Sequence, residues 1–197
     1  MHAGLTRRLR PARYNNGVRA SIRRRGATPA FKGYQGFPAT VCVSINAEVV
    51  HGIPSADRRL RKGDIVSVDV GCIVDGYYAD CAVTLAVGEI PASARTLLDV
   101  TRESLELAID ACRVGRRLSD VSHAVQMHVE RHGLAVVRTF VGHGIGRALH
   151  EEPEVPNFGD PGRGLPLRPG MVLAIEPMVT IVLEDLDPET SPAEGSR

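Results

Sequence analysis

Three features of the sequence predict a domain of the α+β or mixed α/β class. Two runs rich in Val, Ile and Tyr, residues 64–74 (DIVSVDVGCIV) and 77–87 (YYADCAVTLAV), flank Asp75-Gly76, the strongest short hairpin signal a sequence offers. Two later segments place small or apolar side chains at helical spacing. Short strand-like runs stand before and after those segments, so strands and helices alternate along the chain.

In chain order, residues 1–27 show no sustained period and read as a basic arm, disordered or divergent. Pro, Gly and aromatic residues alternate from Phe31 to Pro38, and residues 40–45 read as a short buried strand. After the hairpin, positions 94, 97, 98, 101, 105, 108, 109 and 112 trace one helix face, with Pro91 and Ser93 at the start and Gly115 at the stop. A second helix is expected over 120–132, capped by Ser119 or Asp120 and closed by Gly133. A strand near 134–137, a glycine-punctuated loop over 142–146, a Pro- and Gly-rich stretch over 153–170 and a strand over 171–175 complete the pattern. Past Val182 the composition turns acidic and rich in Pro, Ser and Glu, too polar to offset its ordering entropy. The organisation is therefore an arm (1–27), a folded domain (28–182) and a flexible acidic tail (183–197).

Charge and cysteine content narrow the function classes. Twenty-four Lys and Arg against 23 Asp and Glu leave a net charge of +1, so the average field gives no ground for a DNA or membrane partner. The distribution is uneven: residues 1–32 hold nine basic side chains and no acid. No apolar run approaches the roughly 18–20 residues that cross a bilayer, and no apolar segment follows the basic start as in a signal peptide. Cys42, Cys72, Cys81 and Cys112 match no C-x-x-C spacing and read as reduced thiols, which places the protein in the cytoplasm.

The hairpin carries the first chemistry. With Asp75-Gly76 as a two-residue turn, Val74 pairs with Tyr77 and Asp80 falls opposite Gly71, which makes Asp69 and Asp80 diagonal neighbours on one face. Two anions converging on a mostly apolar hairpin repel and lose hydration, so either the face is wet or a cation sits between them. Cys72 and Cys81 are neighbours on the opposite face and read as small core side chains. His143 stands in the Gly142–Gly146 loop with His150 seven residues on, and Glu176 ends an apolar strand before Pro177. Asp69, Asp80, His143 and Glu176 form an oxygen-rich set with one imidazole, suited to Mn, Fe, Co or Zn in a hydrolytic two-metal site. His123, His128 and His132 lack carboxylate partners at useful spacing and read as surface or partly packed residues.

The runs TPAFKGYQGFPATVCVSIN, VVHGIP, GDIVSVDVG, DGYYAD, VGHGIGRALHEEP and LRPGMVLAIEPM resemble type I methionine aminopeptidase, over about residues 22–179. The resemblance implies the α+β pita-bread fold, an antiparallel sheet flanked by helices. It implies that Asp69, Asp80, His143 and Glu176 hold two divalent ions with Asp80 bridging both, and that Glu176 relays a proton in hydrolysis by an activated water. His51 and His150 correspond to the pair contacting the nitrogen and carbonyl oxygen of the scissile peptide, and Tyr34, Phe37 and Cys42 to the pocket for the methionine side chain. The implied activity is removal of the initiator methionine from nascent chains by a monomer, with ribosome association. Tyr34 to Cys42 speaks against a proline-specific relative.

Two departures from the family stand out. Its fifth ligand, a glutamate on a later strand, has no counterpart; Glu184, Asp185, Asp187 and Glu189 are the remaining acids, in a Pro-containing setting that suits solvent. The two helices that precede the match are replaced by Arg-rich sequence without pattern. Four protein ligands hold one ion well and two poorly, so a single bound ion is the alternative to the pair. The fold is thus expected to be incomplete at both ends and the activity weakened, with an inactive fragment or a peptide- or ribosome-binding module as the alternative.

Overall fold

The computed structural model describes residues 10–181; the acidic tail lies outside them. The chain runs α1 (Pro11–Arg24), β1 (Thr28–Pro29), a 3-10 turn (Tyr34–Gly36), β2 (Val41–Ile45), β3 (Ile65–Val74), β4 (Tyr77–Ala86), α2 (Ala92–Ala111), α3 (Leu118–Arg131), β5 (Leu134–Val136), β6 (Gly142–Gly144), β7 (Glu151–Val155), β8 (Leu173–Ala174) and β9 (Val179–Ile181).

The β3–β4 hairpin forms in the register its turn dictates, with Val74 opposite Tyr77 and Gly71 opposite Asp80. Asp75 and Gly76 both take positive φ, 52° and 81°, the backbone that joins two twisted strands by two residues. On its other edge β3 pairs antiparallel with β1 and β2, completing a four-stranded sheet. Residue parity sorts the two faces. Val41, Val43, Ile45, Val66, Val68 and Val70 point to one side and pack with Tyr14 and Val18 of α1. Cys42, opposite Asp69, points to the other.

The arm expected to lack regular structure is thus a helix over 11–24. Its inner face mixes Pro11, Tyr14, Val18 and Ile22 with Asn15, whose Oδ1 accepts the Thr40 N–H at 2.7 Å, and this mixture of apolar and polar contacts among many arginines reads as an arm. Pro11 suits the first helical turn, and Arg23 and Arg24 sit in the last turn, where cations offset the helix dipole.

α2 and α3 lie where their periodicity places them and pack against each other around Val100, Ala108, Val121, Val125 and Val129. The start of α3 differs from expectation. The helix begins at Leu118, and Asp120 acts from its third position, accepting the Arg117 backbone N–H at 2.8 Å and that of Gly162 at 2.7 Å. β5 and β9 pair beside these helices.

The glycine-punctuated loop is also partly a strand. β6 is the centre of a three-stranded antiparallel sheet between β7 and β8. Its glycines answer a need for close approach: a Cβ at Gly142 would stand 2.3 Å from the Ala174 carbonyl oxygen, and one at Gly144 2.3 Å from that of Glu152. The strand expected over 171–175 shrinks to Leu173–Ala174. No helix among the described residues is long and apolar enough to cross a membrane.

Candidate metal centre

The four-stranded sheet and the β6–β7–β8 sheet meet on the side of the hairpin that faces away from α1. Asp69 on β3 and Asp80 on β4 stand two positions out of register there, and their carboxyl groups lie within hydrogen-bonding reach of each other. β6 brings His143, which pairs with Ala174 of β8, and Glu176 follows β8 by two residues. His143 Nε2 is 3.1 Å from Glu176 Oε1. Asp80, His143 and Glu176 each offer a ligand atom, all within 4.8 Å of one another. Asp69 is outside that trio and joins it through Asp80.

The electrostatics favour a cation. Burial, then the charge of Asp80, pushes the Asp69 carboxyl up to about 8. Burial likewise raises Asp80, with Glu176 adding to the effect. His143 Nδ1 lies 2.9 Å from the Gly144 carbonyl, which only accepts, so Nδ1 carries the proton and Nε2 faces Glu176. Burial opposes a second proton on this ring, but the Glu176 and Gly144 hydrogen bonds and the nearby carboxylates outweigh it and raise the pKa. Protons therefore hold this crowded acid cluster together, and a divalent ion can replace them. Carboxylate oxygens with one imidazole nitrogen are the donor set for a hydrolytic Mn, Fe, Co or Zn site, so the residues fit such an ion.

Beside this cluster lies an apolar group of side chains. Tyr34, Phe37 and Cys42 pack together with Phe31, Ile145 and Leu149. The Cys42 thiol, buried and then facing the charges of Asp69 and Asp80, is pushed up to about 12 and stays neutral among them. The Tyr34 hydroxyl is 2.7 Å from His150 Nδ1, and the His150 ring stands edge-on to His143 with centroids 4.3 Å apart. Burial and the neighbouring His143 charge lower the His150 pKa and favour the neutral ring. His51 is exposed, with φ at 61°, and packs edge-on against Phe140 at 5.8 Å.

Of the sequence-derived candidates, the structure brings Asp80, His143 and Glu176 together, with Asp69 beside Asp80 and His150 between His143 and Tyr34. His51 is near enough to act on His150 electrostatically, and its ring contact is with the exposed Phe140. The expectation that His128 lacks a carboxylate partner is corrected. Glu103 on α2 places Oε2 3.1 Å from His128 Nε2, a pairing across two helices that spacing along one helix does not reveal.

The methionine aminopeptidase of Clostridium acetobutylicum is 56% identical over 160 residues, covering 81% of this chain and 64% of the relative. The chain therefore spans just under two thirds of that relative's length. The crystal structure of the Thermotoga maritima methionine aminopeptidase superposes with a TM-score of 0.87 at 49% identity, covering 88% of this chain and 70% of that one. A prolidase from Pyrococcus furiosus, 24% identical with a TM-score of 0.75, covers 88% of this chain and 49% of its own and shares the pita-bread fold. The profile of metallopeptidase family M24 matches residues 2–192, nearly the full sequence, and the chain belongs to that family.

Proposed function

We propose that this chain is a metal-dependent aminopeptidase that removes the N-terminal methionine from nascent proteins. The observation that carries the reading is the convergence of Asp80, His143 and Glu176, backed by Asp69, beside the apolar cluster of Tyr34, Phe37 and Cys42. Two divalent ions of the Co, Mn, Fe or Zn type would be held by Asp69, Asp80, His143 and Glu176. Bound there, such ions supply Lewis acidity and an activated water.

The chain's own groups do the rest. The apolar cluster takes an unbranched apolar side chain and excludes water from it. His150, kept neutral by its surroundings and oriented by Tyr34, presents its free ring nitrogen to the scissile carbonyl. His51 contacts the peptide nitrogen from the rim. Glu176 accepts the proton of the attacking water and passes it to the leaving amine. The cytoplasm is the compartment of this reading, where the four free cysteines remain thiols.

Ribosome association of a monomer belongs to the same reading. Helix α1 carries Arg13, Arg19, Arg23 and Arg24, none of which pairs with a carboxylate within 4 Å among the described residues. Co-sedimentation with ribosomes should then weaken steeply with salt, and a flat response removes this part.

The deciding experiment loads the reduced chain with Mn or Co and follows methionine release from a Met-Gly peptide by mass spectrometry. Release from that peptide, none from a lysine-led one, and none by Asp80→Ala is the expected result. A folded, metal-loaded chain that releases no methionine overturns the activity and leaves a peptide-binding relative.

A further inference from the structure

The back of the metal-binding hairpin carries a second pair of ligand-type side chains. Cys81 pairs with Val70 and Cys72 with Ala79, so the two thiols stand two positions out of register on the face opposite Asp69 and Asp80. Viewed from its own side, each pair runs along a diagonal of the same hand. Strand twist shortens one diagonal of a ladder and lengthens the other. The carboxyls of Asp69 and Asp80, within hydrogen-bonding reach, identify theirs as the short one. By the same hand, Cys72 and Cys81 occupy a short diagonal, with Cβ atoms roughly 7 Å apart or somewhat less. That is too wide for a relaxed disulfide, whose Cβ atoms stand about 3.8 Å apart. It suits two metal–thiolate bonds of about 2.3 Å each laid end to end between the sulfurs.

The surroundings agree. Both cysteines are free, Cys81 exposed and Cys72 half-buried. They line a cavity of about 320 Å³ between the hairpin and α1, shared with Val18, Ile22, Arg25, Val70, Ala79 and, from the hairpin strand between the two faces, Asp80. The Arg25 guanidinium bonds to the Ser21 hydroxyl and carbonyl, and no carboxylate lies within 4 Å of it among the described residues. Two thiolates on a monovalent cation carry one net negative charge, which the guanidinium lining the same cavity offsets.

We propose that Cys72 and Cys81 form a two-coordinate site for a soft monovalent cation of the copper(I) class. Binding forms two metal–sulfur bonds, releases two thiol protons to solvent and changes no oxidation state. Thiolates select such an ion, whereas the oxygen-rich centre on the other face does not. Of the remaining thiols, Cys42 is buried in the apolar cluster and Cys112 packs against the α2–α3 core.

The test titrates the full chain, anaerobic and reduced without added thiol, with copper(I) held by bicinchoninate, and records copper X-ray absorption on the product. One equivalent should transfer, with two sulfur neighbours and no nitrogen. Cys81→Ser and Cys72→Ser should each weaken uptake more than tenfold, and Cys112→Ser should leave it unchanged. Cys81 is exposed, so its serine variant keeps the fold, which circular dichroism checks. Unchanged uptake by folded Cys81→Ser, or nitrogen neighbours in the spectrum, overturns the site.

Discussion

The β3–β4 hairpin and the β6–β7–β8 sheet each supply half of the candidate metal centre, yet they are built in different ways. The hairpin is local: two ten-residue strands joined by a two-residue turn, with an unbroken ladder from Ile65–Ala86 to Val74–Tyr77. The second sheet joins strands of three, five and two residues, with β8 some thirty residues beyond β6, and its β6–β7 register shifts between His143 and Gly144. A ligand on the hairpin is held by its own element, whereas His143 and Glu176 are held by packing between elements.

Removing one ligand from each region gives the largest expected effect. Asp80→Ala and His143→Ala should each lower affinity for Mn by at least about 100-fold in calorimetric titration, since each takes away one of the few groups on the ion. Asp80→Ala should leave the melting temperature of the metal-free chain level or raise it, because it relieves two crowded acids. His143→Ala should lower that temperature by opening a buried site. Equal responses would dissolve the distinction between the two halves.

Backbone perturbation comes next. Gly144→Ala forces a Cβ to 2.3 Å from the Glu152 oxygen and should cost about 2–3 kcal/mol in urea unfolding. Gly76→Ala, strained only by its φ of 81°, should cost about 1 kcal/mol. The reverse order would mean that the turn, not the interleaved sheet, is the constrained element.

Proton linkage sharpens the comparison on the hairpin side. The Asp69 carboxyl, raised to about 8 when folded, stabilises the metal-free fold fully below the ordinary carboxylate range, and that contribution is lost as pH rises through about 8. The metal-free melting temperature should therefore fall from pH 5 to 8. Metal binding at pH 7 should release protons, detected by titration in buffers of different ionisation enthalpy. A proton-neutral binding reaction would count against the shared acid pair.

The smallest effect lies away from both sheets. Glu103→Gln, which weakens the pair with His128 between α2 and α3, should change stability by less than about 1 kcal/mol, because Glu103 is half exposed.

The contrast between local and distant pairing also explains what the sequence discloses. Asp75-Gly76 determines its strand register within a few residues, so the Asp69–Asp80 diagonal is legible in the sequence alone. The period of α2 is equally local. β6 is not: GHG is too short for alternation, and its glycines look like loop punctuation until Ala174 and Glu152 are seen packed against them. His143 and Glu176 are legible as unusual residues, but their meeting depends on β6 pairing with β8 across some thirty residues. The helix over 11–24 is hidden because its packed face includes Asn15 as well as apolar residues and its arginines dominate the composition.

The placement of α1 has a practical corollary. Its first turn is tied to the loop at Ser55 and Ala56, where the Ala12 N–H and the Arg10 guanidinium donate to backbone carbonyls, and Tyr14 and Val18 pack on the valine face of the sheet. That loop also carries His51, so a change that loosens the first turn of α1 would be felt at His51 through the backbone, without touching any carboxylate of the cluster.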